Sequence, residues 1–103
     1  MNKKKFSQDH LNVMRKIQKE PNKSQRDLAG ELNFSLGKLN YCLKELKNKG
    51  LIKIKNLKKN PKKINYIYIL TPKGMIEKTN LTINFMKRKM KEYEELKSEL
   101  DKK

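Results

Sequence analysis

The chain has 103 residues, of which 35% are hydrophobic, so it can form one domain with a small core. No apolar run approaches the ~20 residues of a transmembrane helix, and the basic start lacks the apolar segment of a signal peptide, so we expect a cytoplasmic protein. One cysteine and one histidine exclude an internal disulfide and the common zinc sites. No catalytic set or glycine-rich phosphate loop is recognisable, so we expect neither an enzyme nor a cofactor.

The charge is strongly basic and unevenly distributed. Twenty-seven Lys and Arg residues against eleven Asp and Glu residues give a net charge of +16. Residues 1–75 hold 19 basic and 5 acidic side chains, whereas residues 76–103 hold 8 and 6. A genome whose base composition favours lysine codons would explain part of the lysine content, but it would not explain this asymmetry. The charge therefore favours a polyanionic partner, either nucleic acid or an anionic membrane surface.

The first 33 residues predict a short arm followed by two helices. Residues 1–6 are expected to be a disordered basic arm. A helix over 8–19 follows Ser7 as its N-cap, and it ends before Pro21. A second helix begins after Ser24 and ends at Asn33, with Asp27 at the third position of a capping box. The single histidine, His10, lies at the start of the first helix, and no partner for metal binding or catalysis is identifiable in the sequence.

A third helix is predicted between Ser35, its N-cap, and Gly50, a C-terminal glycine. Its leucines fall on one side of a helical wheel and predict a buried stripe of Leu36, Leu39, Leu43 and Leu46. Cys42 borders this stripe, so we interpret it as a small buried residue and not as a redox switch.

The remaining residues predict a hairpin and a long helix. Ile52 and Ile54 alternate with lysines, and the segment INYIYIL at 64–70 is rich in β-branched and aromatic residues. Tyr66 and Tyr68 share one face of this second strand, which is more typical of packing than of base stacking. Thr71-Pro72 is an N-cap followed by proline at the first helical position, and this helix can extend to about Leu100.

This order of elements is typical of a winged helix-turn-helix, and the residues carry a more specific likeness. The segment QRDLAGELNFSLGKLNYCLKEL, followed by KGLIK and later TPKG, resembles the DNA-binding domain of MarR-type transcriptional regulators, closest to their small exopolysaccharide-associated (EPS-associated) branch. The resemblance implies a mainly α fold with a small β-hairpin, with the winged helix-turn-helix over 7–71 and a dimerisation helix over 72–103. The resemblance does not extend to the family's ligand pocket or to its cysteine-based redox sensing. The effector, if the protein has one, is therefore unknown.

The resemblance implies that a recognition helix over 35–49 enters the major groove of duplex DNA. On the wheel, the side opposite the leucine stripe is polar and holds the expected base and phosphate contacts, which are Gly37, Lys38, Tyr41 and Lys44, with Asn40 on the flank. The N-terminal N–H groups at Ser35 can bind a phosphate, and Gln25 and Arg26 are expected to hold the DNA backbone.

The predicted wing, residues 57–64, carries four lysines around Asn60-Pro61: Lys58, Lys59, Lys62 and Lys63. We expect this tip to bind the phosphate backbone or the minor groove. A solvated loop whose charge prevents aggregation of the strand edges is the alternative.

The last helix predicts a homodimer. Side chains at coiled-coil spacing form an expected seam of Ile76, Ile83, Met86, Met90, Tyr93 and Leu100, and Thr79 occupies one further position of this spacing. Leu81 and Phe85 lie on a second line, which we expect to pack on the domain itself. A helix that packs on its own chain throughout is the alternative. A dimer would bind a near-palindromic operator.

The leading hypothesis is a sequence-specific regulator that binds double-stranded DNA. We expect a repressor, because no further domain for contacting polymerase is recognisable. The resemblance to the EPS-associated branch suggests exopolysaccharide genes as its targets. The first alternative is a basic RNA-binding or ribosome-associated protein, which would favour exposed aromatic side chains on a sheet. The second is a winged helix that contacts only proteins, which would favour an exposed apolar patch.

Overall fold

The structure, a computed structural model, describes residues 6–57 and 65–102. Within these ranges it contains four helices and one two-stranded sheet: α1 (Gln8–Lys19), α2 (Gln25–Leu32), α3 (Leu36–Asn48), β1 (Ile52–Leu57), β2 (Asn65–Leu70) and α4 (Pro72–Asp101). The predicted fold class, mainly α with a small hairpin and a long last helix, is confirmed. Most of the expected arm (residues 1–5) and the wing tip (residues 58–64) lie outside the described residues.

The predicted N-caps of the last three helices are present as hydrogen bonds. The hydroxyl of Ser24 accepts from the Asp27 N–H at 3.1 Å, and that of Ser35 accepts from the Lys38 N–H at 3.1 Å. The hydroxyl of Thr71 accepts from the Gly74 N–H at 3.0 Å. Each bond satisfies a backbone donor that the first helical turn leaves unpaired, so these residues fix where the helices begin.

Two helix ends use left-handed backbone. Asn33 has φ 62° and ends α2, while Gly50 has φ 73° and follows α3. Asparagine and glycine tolerate this conformation better than other residues do. The left-handed Asn33 thus ends α2 three residues before α3 begins at Leu36.

The core is formed by side chains from α1, α2, α3 and both strands. Its apolar members are Val13, Met14, Ile17, Leu28, Ala29, Leu39, Cys42, Leu43, Leu46, Leu51, Ile52, Tyr68 and Leu70. All lie at 5% exposure or below except Tyr68, at 6%. The core thus joins the first three helices to the hairpin, with α1 in contact with α2, α3 and β2.

The prediction that Leu36 is buried is wrong, since its side chain is 42% exposed. Leu39, Leu43 and Leu46 are buried as predicted, and Cys42 is buried beside them. Burial of Cys42 moves the centre of the inward face around the helix, away from Leu36. Leu36 consequently lies at the margin of this face, in the first turn.

The strands pair antiparallel, with Ile52 opposite Leu70 and Ile54 opposite Tyr68. On β1 Ile52 is buried and Ile54 is exposed, whereas Tyr68, opposite Ile54 on β2, belongs to the core. The hydroxyl of Thr71 donates to the Gly50 carbonyl at 2.6 Å, which attaches the start of α4 to the end of α3.

No helix in the described part of the chain combines the length and the low polarity needed to cross a membrane.

Candidate nucleic-acid interface

The outward face of α3 is polar and basic. The structure exposes Gly37, Lys38, Asn40, Tyr41 and Lys44, as the wheel predicts, and Ser35 is exposed at its N-terminus. Glu45 is the acidic residue of α3, and it is half-buried, so the exposed side chains of this wholly described helix include lysines but no acid. The face therefore combines cations with amide and phenol groups that can bond to base edges.

Gly37 has no packing role in the chain. A Cβ built on it would lie 4.0 Å from the Ser35 hydroxyl, which is an ordinary contact. Glycine inside a helix destabilises it by roughly 0.5–1 kcal/mol relative to alanine. The absent side chain is thus not required by the fold, and it leaves the backbone of the first turn of α3 open to a partner.

Lys38 is held by two neighbours. Its Nζ lies 3.0 Å from Oδ2 of Asp9 on α1 and 4.3 Å from the centre of the Phe34 ring. The Lys38 side chain remains about half exposed. The ammonium is therefore positioned at the start of α3 while one side of it still faces solvent.

The two residues predicted to hold DNA at the start of α2, Gln25 and Arg26, have different surroundings. Arg26 is exposed, as a contact to the DNA backbone requires. Gln25 instead donates from its side-chain amide to the hydroxyl of Tyr68 on β2. Its position thus joins α2 to the hairpin, a contact that the sequence did not predict. The prediction that Tyr68 packs is confirmed by its burial, whereas the Tyr66 side chain lies outside the described part.

His10 has two structural partners that were not predicted from the sequence. Its side chain is buried, its Nδ1 accepts from the Ser7 N–H at 3.0 Å, and its Nε2 lies 2.7 Å from Oε1 of Glu45. Since a backbone donor faces Nδ1, the ring proton sits on Nε2 and is donated to Glu45. The first turn of α1 is thereby fixed to the middle of α3. The serine three residues before His10 is the sequence feature that could have predicted the contact between Ser7 and His10.

Cys42 is buried, as predicted. Burial raises the pKa of its thiol, and the negative charges of Asp9 and Glu45 raise it further, while Lys38 lowers it. A thiol of this kind is a poor nucleophile at neutral pH. In the described part of the chain, no group of three or more His, Cys, Asp or Glu side chains could hold a metal ion.

The basic surface extends from α3 to the hairpin. Lys53 and Lys55 on β1 are exposed, and the strand runs on towards the tip that carries the four predicted wing lysines. Lys58, Lys59, Lys62 and Lys63 themselves lie outside the described residues. The described part of the hairpin thus carries exposed cations, and the DNA contact of the tip stays a prediction.

The last helix exposes the predicted seam. The apolar side chains along it are 45–69% exposed: Ile76, Ile83, Met86, Met90, Tyr93 and Leu100. Leu81 packs against the core, and Phe85 is half-buried. The two apolar lines of α4 therefore differ as expected. The line of Leu81 and Phe85 contacts the domain at Leu81, whereas the seam faces solvent.

Comparison with known proteins agrees with this geometry. Residues 10–53 match a family model described as winged helix-turn-helix DNA-binding. No curated protein matches the chain. Solved structures with a similar fold include the PcaV transcriptional regulator from Streptomyces coelicolor with its natural ligand, at 14% identity and a TM-score of 0.70, covering 82% of this chain and 58% of that one.

Two further structures extend the comparison. A zinc-responsive MarR family member from Lactococcus lactis, ZitR, has 18% identity and a TM-score of 0.66, covering 92% of this chain and 63% of its own. FabT from Streptococcus pneumoniae, solved in complex with DNA, has 22% identity and a TM-score of 0.64, covering 90% and 63%. The chain thus spans about three fifths of the length of these regulators.

The fold and the family model define the class of domain. The chain contains a winged helix-turn-helix followed by a long C-terminal helix, and this fold is shared with structures of MarR family regulators. The match to the winged helix-turn-helix model covers α1 to the start of β1, which includes the whole exposed face of α3.

Proposed function

We propose that this protein is a sequence-specific regulator of transcription that binds double-stranded DNA. In this proposal α3 lies in the major groove, with Lys38, Asn40 and Tyr41 at base edges and Lys44 at phosphate. Arg26 holds the DNA backbone from α2. The lysines of the wing tip bind the adjacent backbone or minor groove.

The observation that supports this proposal most strongly is the composition of the exposed face of α3. A helix at the surface of an ordinary soluble domain mixes acids and bases, which keeps its potential low. Here the one acid of α3, Glu45, bonds to His10, whereas Lys38, Lys44 and Lys47 remain exposed. The acidic phosphates of DNA complement such a face, and the Asn40 amide and Tyr41 hydroxyl can add base selectivity.

A homodimer through α4 is part of the proposal. The helix has 30 residues, about 45 Å at 1.5 Å per residue, and the longest dimension of the molecule is 65 Å. Its exposed apolar seam would be covered by the same seam of a second copy. A symmetric dimer presents two copies of α3, so the operator is a near-palindrome whose half-sites lie about one turn of DNA or more apart.

Repression of transcription, with exopolysaccharide genes as the regulated class, completes the proposal. The choice of exopolysaccharide genes is supported by the sequence resemblance to the EPS-associated branch. It concerns which genes carry the operator and not how the protein binds, so binding is tested first.

The experiment is a selection of binding sites by the intact protein from a pool of random duplexes at ~150 mM salt, followed by titration of the enriched sequence. We expect a near-palindromic site bound about 10³-fold or more tightly than random duplex. Single-stranded RNA of equal length serves as competitor. Enrichment of no duplex sequence, or stronger competition by RNA than by duplex DNA, would contradict the proposal and favour the RNA-binding alternative.

A further inference from the structure

We propose that Asp9 is a specificity-determining residue, which holds Lys38 for base contact and cancels its attraction to phosphate. The inference rests on the proposed function. It concerns an acidic side chain of α1, outside the predicted DNA-binding residues, whose carboxylate lies at the N-terminal end of the recognition helix.

The geometry places Asp9 beside Lys38, the lysine in the first turn of α3. Oδ2 of Asp9 lies 3.0 Å from Nζ of Lys38, and both side chains are about half exposed. The ring of Phe34 lies on another side of the same ammonium, 4.3 Å away. An ammonium has three hydrogens, so Lys38 can keep the carboxylate and still donate to an acceptor on a base.

The backbone that carries Asp9 is held in place by the next residue in the sequence. His10 is buried and bonds at one nitrogen to the Ser7 N–H and at the other to Glu45 of α3. The ring of Phe6 also packs edge-on against His10, with centroids 5.0 Å apart. The turn that carries Asp9 is thus fixed against α3, so the distance from Asp9 to Lys38 is set by the fold.

This arrangement separates two kinds of DNA contact. Random duplex is bound through phosphates, and a lysine already paired with a carboxylate gains less there while the carboxylate repels the phosphate. A base acceptor at the right position uses hydrogens that Asp9 leaves available, and the fixed ammonium loses less rotational freedom on binding. Asp9 thus lowers affinity for random DNA more than for the operator.

An ordinary structural role predicts a different outcome. Asp9 lies in the first turn of α1, where an acidic residue interacts favourably with the helix dipole. In that case Asp9→Asn would lower the melting temperature slightly and leave DNA selectivity unchanged. The two roles are therefore separable by measuring both quantities.

The test uses the intact protein, its selected site and a random duplex, titrated between 50 and ~300 mM salt. We expect Asp9→Asn to bind random duplex more tightly, to steepen its salt dependence by up to about 0.9 in log K against log salt, and to lower the ratio of specific to random affinity about two- to tenfold. Glu31→Gln is the matched control, because Glu31 pairs with Lys16 on the α1–α2 side and its removal changes the net charge equally.

A double variant shows whether Asp9 acts through Lys38. In a Lys38→Ala background, Asp9→Asn should change the affinity ratio by less than half of its effect in the wild type. An unchanged ratio in Asp9→Asn, an equal fall in Glu31→Gln, or an undiminished effect without Lys38 would each overturn the inference. A wild-type protein without any preferred duplex would instead contradict the proposed function, and the inference with it.

Discussion

Gly74 in the first turn of α4 packs directly on the backbone of Leu51, at the start of the wing. A Cβ on residue 74 would lie 1.9 Å from the Leu51 carbonyl oxygen, and that same oxygen accepts a hydrogen bond of 3.0 Å from the Thr71 N–H. The glycine of the TPKG segment is thus required where the last helix leaves the domain. This contact sets the direction of α4 relative to the recognition helix.

The first prediction follows from this contact. Gly74→Ala should destabilise the protein by about 3 kcal/mol, because the overlap is with backbone and cannot be relieved by a side-chain rotation. Thermal unfolding followed by circular dichroism measures the effect. Gly30→Ala is the control, since nothing lies within 4 Å of a Cβ there, and it should stabilise α2 by about 0.5–1 kcal/mol. Equal stability of the two variants would contradict the packing described.

The local structure of the chain was predictable from the sequence, because it depends on neighbours in the chain. Ser24, Ser35 and Thr71 cap helices through bonds to residues three positions later, and Asn33 and Gly50 end them. The spacing of apolar residues likewise predicted which side of α3 is exposed, apart from Leu36. These features need no knowledge of tertiary structure.

The contacts between distant segments could not be predicted in this way. The pair of Asp9 and Lys38 joins residues 29 positions apart, and His10 reaches Glu45 across 35 positions. Such pairs depend on how α1 crosses α3, which periodicity does not determine. The Gln25 to Tyr68 bond, which joins α2 to the hairpin, has the same origin, and the predicted DNA contact of Gln25 stays a prediction.

The second prediction concerns the seam of α4. Met90→Glu should convert a dimer into a monomer, because it places a buried charge beside its copy in the partner helix. Sedimentation at tens of micromolar measures the change. Asn84→Glu adds the same charge on another side of the helix and should leave the dimer intact. Ending the chain after Lys87 should also give a monomer that loses most affinity for a two-half-site operator.

The alternative for α4 makes an opposite prediction. If the helix packs only on its own chain, the wild-type protein sediments as a monomer at the same concentration. That result would contradict the dimer, and with it the expectation of a palindromic operator.

The third prediction concerns Cys42. Because burial and the nearby carboxylates raise the pKa of its thiol, the native protein holds less thiolate than the unfolded chain at any pH near 8. Alkylation by iodoacetamide should therefore be at least about tenfold slower in the native protein than in denaturant. As the pH rises from 7 to 9, the unfolded rate should increase first. Equal rates in both states would show that the thiol is accessible and contradict its burial.

The fourth prediction tests the wing. Replacing Lys58, Lys59, Lys62 and Lys63 with alanine should weaken binding to all duplexes about equally and lower the salt slope by up to about 0.9 for each phosphate that the tip no longer neutralises. The matched control removes four exposed lysines from the last helix and its C-cap, which are Lys89, Lys91, Lys97 and Lys102. The control should change the slope much less. Identical slopes for the two variants would mean that the tip binds no phosphate.

The central claim is that the exposed face of α3 distinguishes DNA sequences. The most direct measurement is the ratio of affinities for the selected operator and for random duplex, at ~150 mM salt, in the wild type and in Lys38→Ala and Tyr41→Ala. Each variant should lose about 1–3 kcal/mol on the operator and much less on random duplex, whereas Lys19→Ala, an exposed lysine at the end of α1, should keep the wild-type ratio. Unchanged ratios in both α3 variants would show that another surface selects the sequence.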